Sequence, residues 1–209
     1  MSTASCPSCG APVEFRNKAS LWVVCEHCTT MSVRRDLNLE TVGKVAALKD
    51  DGSPVQLGTR GKYRGKRFEV VGRIQLQYGR GYWNEWFLDF EDGTNGWLGE
   101  AQGDYAVSFV REAGGAVPAF ASLSPGMSVK VAGAAWEVQD IESARCVSGQ
   151  GELPFGFEGG YEAPVVDLSG ADGKFATLDY SEQPPLVFVG EWLDFDALGF
   201  TDLREVEDW

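Results

Sequence analysis

Two Cys-x-x-Cys pairs, Cys6-Pro7-Ser8-Cys9 and Cys25-Glu26-His27-Cys28, stand fifteen residues apart near the start of this chain. Each pair puts two thiolates on one tight turn, and a hairpin between them brings both turns to a single tetrahedral ion. Four sulfur ligands leave no position for water or substrate. The expected cofactor is therefore one structural Zn2+ per chain, held by Cys6, Cys9, Cys25 and Cys28. Gly10 supplies a residue that tolerates positive φ where the first knuckle turns. His27 lies between two ligands and is expected to face solvent or a sulfur rather than to act as a base.

Behind this unit the chain reads as mainly β. It has 209 residues, 26 of them glycine, with 12% aromatics and many short alternating runs, which favours strands and tight turns over helices. No apolar run approaches the roughly 18 residues of a membrane span, and Met1 to Cys6 has no secretory leader pattern. With cysteines committed to metal, this predicts a soluble, cytoplasmic protein without membrane insertion. Cys146 is the fifth cysteine, expected as a small apolar filler.

The net charge of −13 is unevenly spread. Residues 1–80 hold 13 Lys/Arg against 7 Asp/Glu, whereas residues 81–209 hold 5 against 24. A basic front and an acidic back predict either intramolecular docking or two different partner surfaces.

The expected organisation is a four-cysteine ribbon over 1–36, a linker over 37–54 that could hold one short helix (Leu39, Val42, Val45, Ala46), and a first β repeat over 55–115. A linker over 116–126, a second β repeat over 127–195 and an acidic tail over 196–209 follow. Three ordered matches carry the repeat. Gly65-Lys66-Arg67-Phe68-Glu69-Val70 resembles Gly133-Ala134-Ala135-Trp136-Glu137-Val138, and Asp89-Phe90 with Asp92-Gly93 resembles Asp167-Leu168 with Asp172-Gly173. Val107 to Glu112 resembles Leu186 to Glu191, which sets Phe109 against Phe188. Two small antiparallel β-barrels or half-barrels packed on one another are expected.

The run from Gly61 to Ile74, with Trp83-Asn84-Glu85-Trp86 and Gly96-Trp97-Leu98 behind it, resembles a bacterial family known as domain of unknown function 4178. The resemblance covers nearly all of residues 1–195. It implies a four-cysteine ribbon followed by two copies of the domain, and it brings no activity or catalytic residue. The family's association with membrane-stress and polyamine-synthesis genes implies an accessory, partner-binding role.

One histidine excludes the usual Ser-His-Asp and Cys-His arrangements, and no phosphate-cradling glycine motif occurs. A carboxylate pair such as Glu85 and Asp89 would be the enzymatic alternative, with solvated surface as its ordinary explanation. Arg60, Lys62, Arg64 and Lys66 alternate, so an extended strand would point all four one way, with Arg67 and Arg73 extending the patch. Nucleic acid is the alternative partner for this stripe, against a pI near 4.5. Trp83 and Phe87 share one strand face that either packs on the second repeat or forms a protein-binding surface. The reading reached from the residues is a non-enzymatic, zinc-stabilised adaptor with a protein partner. Trp192 and Phe195 are expected to hold residues 191–200 of the tail against the β body.

Overall fold

The computed structural model describes residues 2–18, 20–35, 38–49, 51–79, 81–157 and 160–205, and contains fifteen strands and no α-helix in them. The N-terminal unit comprises β1 (Ser2–Ser5), β2 (Pro12–Phe15), β3 (Trp22–Val24), β4 (Thr30–Arg35) and β5 (Asn38–Lys44). The stretch expected to hold a helix is therefore largely strand: Asn38 to Thr41, Gly43 and Lys44 pair with β4, and β-branched Val42 sits at a bulge between them. The unit reaches residue 44 and not 36.

Two meanders follow. The first is β6 (Arg60–Tyr63), β7 (Lys66–Tyr78), β8 (Gly81–Phe90), β9 (Asn95–Ala101) and β10 (Asp104–Arg111). The second is β11 (Ser128–Val131), β12 (Ala134–Leu153), β13 (Tyr161–Ser169), β14 (Lys174–Asp179) and β15 (Leu186–Leu193). Both open with a two-residue turn at positive φ, Arg64-Gly65 in one and Ala132-Gly133 in the other. This is the primed turn that matches strand twist. The meanders do not form two bodies. β10 pairs with β15 and β7 pairs with β12, both antiparallel, so four strands from each close into one eight-stranded barrel.

Four clusters divide the buried apolar residues, one of them small and within the cysteine unit, around Val13, Phe15 and Val23. Ile74, Phe87, Trp97, Ala144 and Cys146 form one to which both meanders contribute, and Val24 and Met31 of the N-terminal unit join it. The outer face of the first meander buries Val70, Trp86, Leu88, Leu98 and Val107 under β6 and Leu198. The outer face of the second buries Val138, Val166, Leu168, Ala176 and Leu178, with Val117, Phe120 and Leu123 laid over it. Phe68 and Trp136 occupy the same place, third in β7 and in β12, and both are buried. Phe109 and Phe188 do not correspond. Phe109 lies opposite Val189, so Phe188 points to the other face of the sheet.

The end of the chain docks as expected, with different anchors. Phe195–Leu198 forms a 3-10 turn, Leu198 is buried, and Thr201 exchanges both backbone bonds with Arg60 at 3.1 and 2.8 Å. Phe195 packs on Tyr105 and Phe200, whereas Trp192 remains 54% exposed beside Phe175. The aliphatic and phenyl groups hold this segment, and Trp192 does not. Residues 206–209, including Glu207 and Asp208, lie outside the described residues.

Candidate metal centre and seam groove

The two knuckles repeat one another bond for bond. Gly10 N donates to Cys6 O and Thr29 N donates to Cys25 O, both at 2.9 Å; Cys6 N and Cys25 N reach Ala11 O and Thr30 O at 2.8 and 2.9 Å. These bonds aim the four sulfurs at one point. They lie within 4.8 Å of one another, with Cys6–Cys28 at 3.7 Å and Cys9–Cys25 at 3.8 Å. An edge of about 3.8 Å belongs to a tetrahedron whose centre lies about 2.3 Å from each sulfur, so the cage fits a metal–thiolate centre and excludes disulfides. Hydrogen bonds with Thr30 draw the Cys28 thiol down to about 6, while burial pushes Cys25 up to about 12. His27 is exposed.

The cysteine unit is joined to the barrel. Val24, Val23 and Trp22 of β3 pair with Gly151, Glu152 and Leu153 at the far end of β12. The buried Glu152 carboxylate accepts the backbone N–H groups of Arg16 and Asn17 at 2.6 and 3.0 Å. Burial raises the pKa of Glu152 against the opposing effect of those bonds.

The basic stripe is not one strand face. Arg60 and Lys62 lie on β6, Arg64 lies in the turn and Lys66 starts β7. Most of its charge is answered internally. Arg60 pairs with Glu69 and Asp202, Lys66 with Asp92, and Arg67 with Glu91. Arg64 grips Glu191 with Nε at 2.9 Å and Nη2 at 2.7 Å, and that bond is the main reason the Glu191 carboxyl titrates below its ordinary value.

Arg73 is buried and does not extend the patch. Its guanidinium stacks over Trp86 at 4.6 Å, donates to Asn84 Oδ1 and bonds Asp51. Beside it, buried Glu100 accepts from Trp86 Nε1 at 2.8 Å, Tyr105 OH at 3.1 Å and Asn84 Nδ2 at 3.2 Å, with Ser53 Oγ at 2.7 Å. Nothing in the sequence joins these residues, and Arg73 by spacing belonged to the basic patch. The network's members are scattered from Asp51 to Tyr105, and no local spacing marks them.

Phe87 is buried and takes no part in a surface, and Trp83 is half-buried with its indole N–H on Glu85 at 3.0 Å. Glu85 and Asp89 are not solvated surface residues either. Both are partly buried, and desolvation raises both pKa values, that of Glu85 to about 7 with Asp167 adding like charge. Cys146 is fully buried with its thiol pushed up to about 12, as a core filler requires.

Where the outer faces of the meanders meet, along the β10–β15 seam, lies a groove of about 610 Å³. Phe90, Phe109 and Val189 line its apolar part, and Arg64, Lys66, Arg111 and Lys174 its rim, with Glu191 among them. The β6 turn supplies the first two cations, and the ends of β10 and β14 supply the others. Sequence spacing could not join Arg111 to Lys174, because only the pairing of β10 and β14 on either side of β15 brings them to one groove, Arg111 opposite Val187 and Lys174 opposite Glu191.

A family profile with the description Domain of unknown function (DUF4178) matches residues 56–195, two thirds of the chain. The chain belongs to the DUF4178 family. One continuous match spans both meanders, so the DUF4178 unit here corresponds to the whole barrel and the resemblance to two separate copies is revised accordingly. The cysteine unit lies outside it. No curated protein and no solved structure gives a significant match to the chain.

Proposed function

We propose that this DUF4178 chain is a non-enzymatic, zinc-stabilised module that binds a partner protein through the seam groove. The groove carries the reading. It combines an apolar floor with four cations on a chain of net charge −13, and its volume is in the range of specific binding pockets. Two of the only five Lys/Arg beyond residue 80, Arg111 and Lys174, are in it. Zinc is the ion that suits an all-thiolate tetrahedral cage, and reduced thiols suit a cytoplasmic setting. The correspondence of turns and strand order supports descent of the meanders from one duplicated unit.

The nucleic-acid alternative is weakened by the internal pairing of the stripe. The carboxylate-enzyme alternative draws support from Glu85 and its raised pKa, but the Trp83 bond and the close approach of its carboxylate to Gly99 give Glu85 a packing role.

Two measurements test the proposal. Elemental analysis should find one zinc per chain, and Cys25→Ser should remove it and destabilise the β3–β12 junction as well as the knuckles. Crosslinking in the native host followed by mass spectrometry should recover a partner whose yield falls in an Arg111→Glu/Lys174→Glu variant. A metal-free native protein would refute the zinc assignment, and an unchanged crosslink pattern would refute the groove.

A further inference from the structure

The identity of the groove's partner can be narrowed by the group already lodged in it. Glu191 lies in the planar fork of Arg64 as a two-point carboxylate contact, and it stands directly across from Lys174 in the β14–β15 register. Tyr63, whose hydroxyl is pushed up to about 12 by burial and by Glu191, closes the other side. The molecule thus displays how this rim receives a carboxylate. One internal acid does not saturate it. Among the described residues, no carboxylate lies within ion-pair distance of Arg111 or Lys174, whereas Arg64 and Lys66 each have one. Arg111 packs over the Phe109 ring, its guanidinium carbon 5.1 Å from the centroid, so its charge is held at the apolar floor.

The cover of the two outer faces gives the second argument. The C-terminal segment lies over the first meander's face, and residues 117–123 lie over the second. Neither set appears in the groove lining, which leaves Phe109 and Val189 half-buried between them. An occupant must therefore bring both negative charge for the rim and an apolar group for the floor.

We propose that the seam groove is the receptor for an acidic peptide segment of a partner protein, one that carries a large apolar side chain between carboxylates. Arg111 and Lys174 take its carboxylates, its apolar side chain rests on Phe109 and Val189, and Glu191 is the internal competitor that sets the affinity. The proposal rests on the protein-binding reading above and adds the chemistry of the partner. Charge-assisted contacts of this kind weaken with salt, and those made by Arg are strongest when two-pronged.

The test uses the full zinc-loaded chain and three fluorescein-labelled peptides, read by anisotropy. One has the sequence Gly-Asp-Glu-Phe-Asp-Glu-Leu-Gly, the second replaces each acid by its amide, and the third replaces Phe and Leu by Ser. The acidic-apolar peptide should bind at least tenfold tighter than either counterpart, and a fivefold rise in salt should weaken it. Arg111→Glu/Lys174→Glu should abolish binding with the melting temperature unchanged, and Glu191→Gln should tighten it several-fold. A labelled oligo-dT strand is the competing arm. Equal binding of acid and amide peptides, indifference to the double substitution, or tighter binding of oligo-dT would each overturn the proposal. If the crosslinked partner is lost in the double variant yet the peptide series shows no acid preference, the acidic-peptide inference fails while the protein-binding reading stands.

Discussion

The two halves of the barrel share strand order and entry turns but solve the same burial problem differently. In the first half, the indole N–H of Trp86 meets a buried carboxylate, Glu100, within a network that includes Arg73 and Asn84. In the second, the indole N–H of Trp136 meets a backbone carbonyl, Val131 O at 3.0 Å, and the surrounding cluster is apolar. The contrast shows that one strand framework supports two kinds of core. The charged one ties down a chain segment through Asp51 and Ser53. Buried charges contribute little as pairs relative to apolar packing, but they penalise every arrangement that leaves one of them unmatched.

The largest effect should come from breaking that network. Glu100→Ala leaves the buried Trp86 and Tyr105 donors without their acceptor, removes one acceptor each from Asn84 and Ser53, and should cost about 4 kcal/mol, mostly unmet desolvation. Leu168→Ala in the second half should cost about 3 kcal/mol by cavity formation alone. Urea denaturation of both variants compares the halves, and equal loss in a Glu100→Gln variant would mean that shape rather than charge matters in the first half.

The covers differ too. Leu198→Ala should cost about 3 kcal/mol, because the side chain is fully buried over the first meander. Phe120→Ala over the second should cost about 2 kcal/mol, as Phe120 is only half-buried against Tyr180. Hydrogen exchange should show faster opening of β6 in the first variant and of β11 in the second.

Glu85 offers a smaller test by pH. Its folded pKa of about 7 exceeds the ordinary 4.5, so the folded state holds the proton more tightly than the unfolded state. The resulting stabilisation is full below about pH 4.5 and is lost as pH rises through 7. Glu85→Gln should flatten this slope and raise stability at pH 8 by about 2 kcal/mol relative to the native chain, a figure reduced for the group's partial solvent access. Thermal melts at pH 5 and pH 8 measure it. Smallest is Ala132→Gly at the second entry turn, which should stabilise by about 0.5 kcal/mol by relieving a left-handed alanine.

The four-cysteine cluster was legible because its members are local. Two knuckles with paired sulfurs are encoded by spacing within a few residues, and the hairpin between them has one workable closure. The likeness of Gly65–Val70 to Gly133–Val138 was legible for the same reason, as were the alternating faces of β8. The exact partner of each face was not. Phe109 and Phe188 matched in sequence yet point to opposite sides, since a one-residue offset reverses a strand's faces and short β patterns do not fix it. Arg60 to Lys66 read as one extended stripe because alternation does not reveal that Arg64 sits in a turn.

Sequence by itself determined the grouping of four cysteines, the mainly β character, the charge asymmetry and the docking of an acidic, aromatic tail. Tertiary structure decided that the meanders close one barrel, that the cysteine unit shares a strand pairing with β12, and that Arg111 and Lys174, on the strands flanking β15, line one groove. Strand pairing over 70 or more residues depends on the summed packing of whole faces, and no local motif carries that sum.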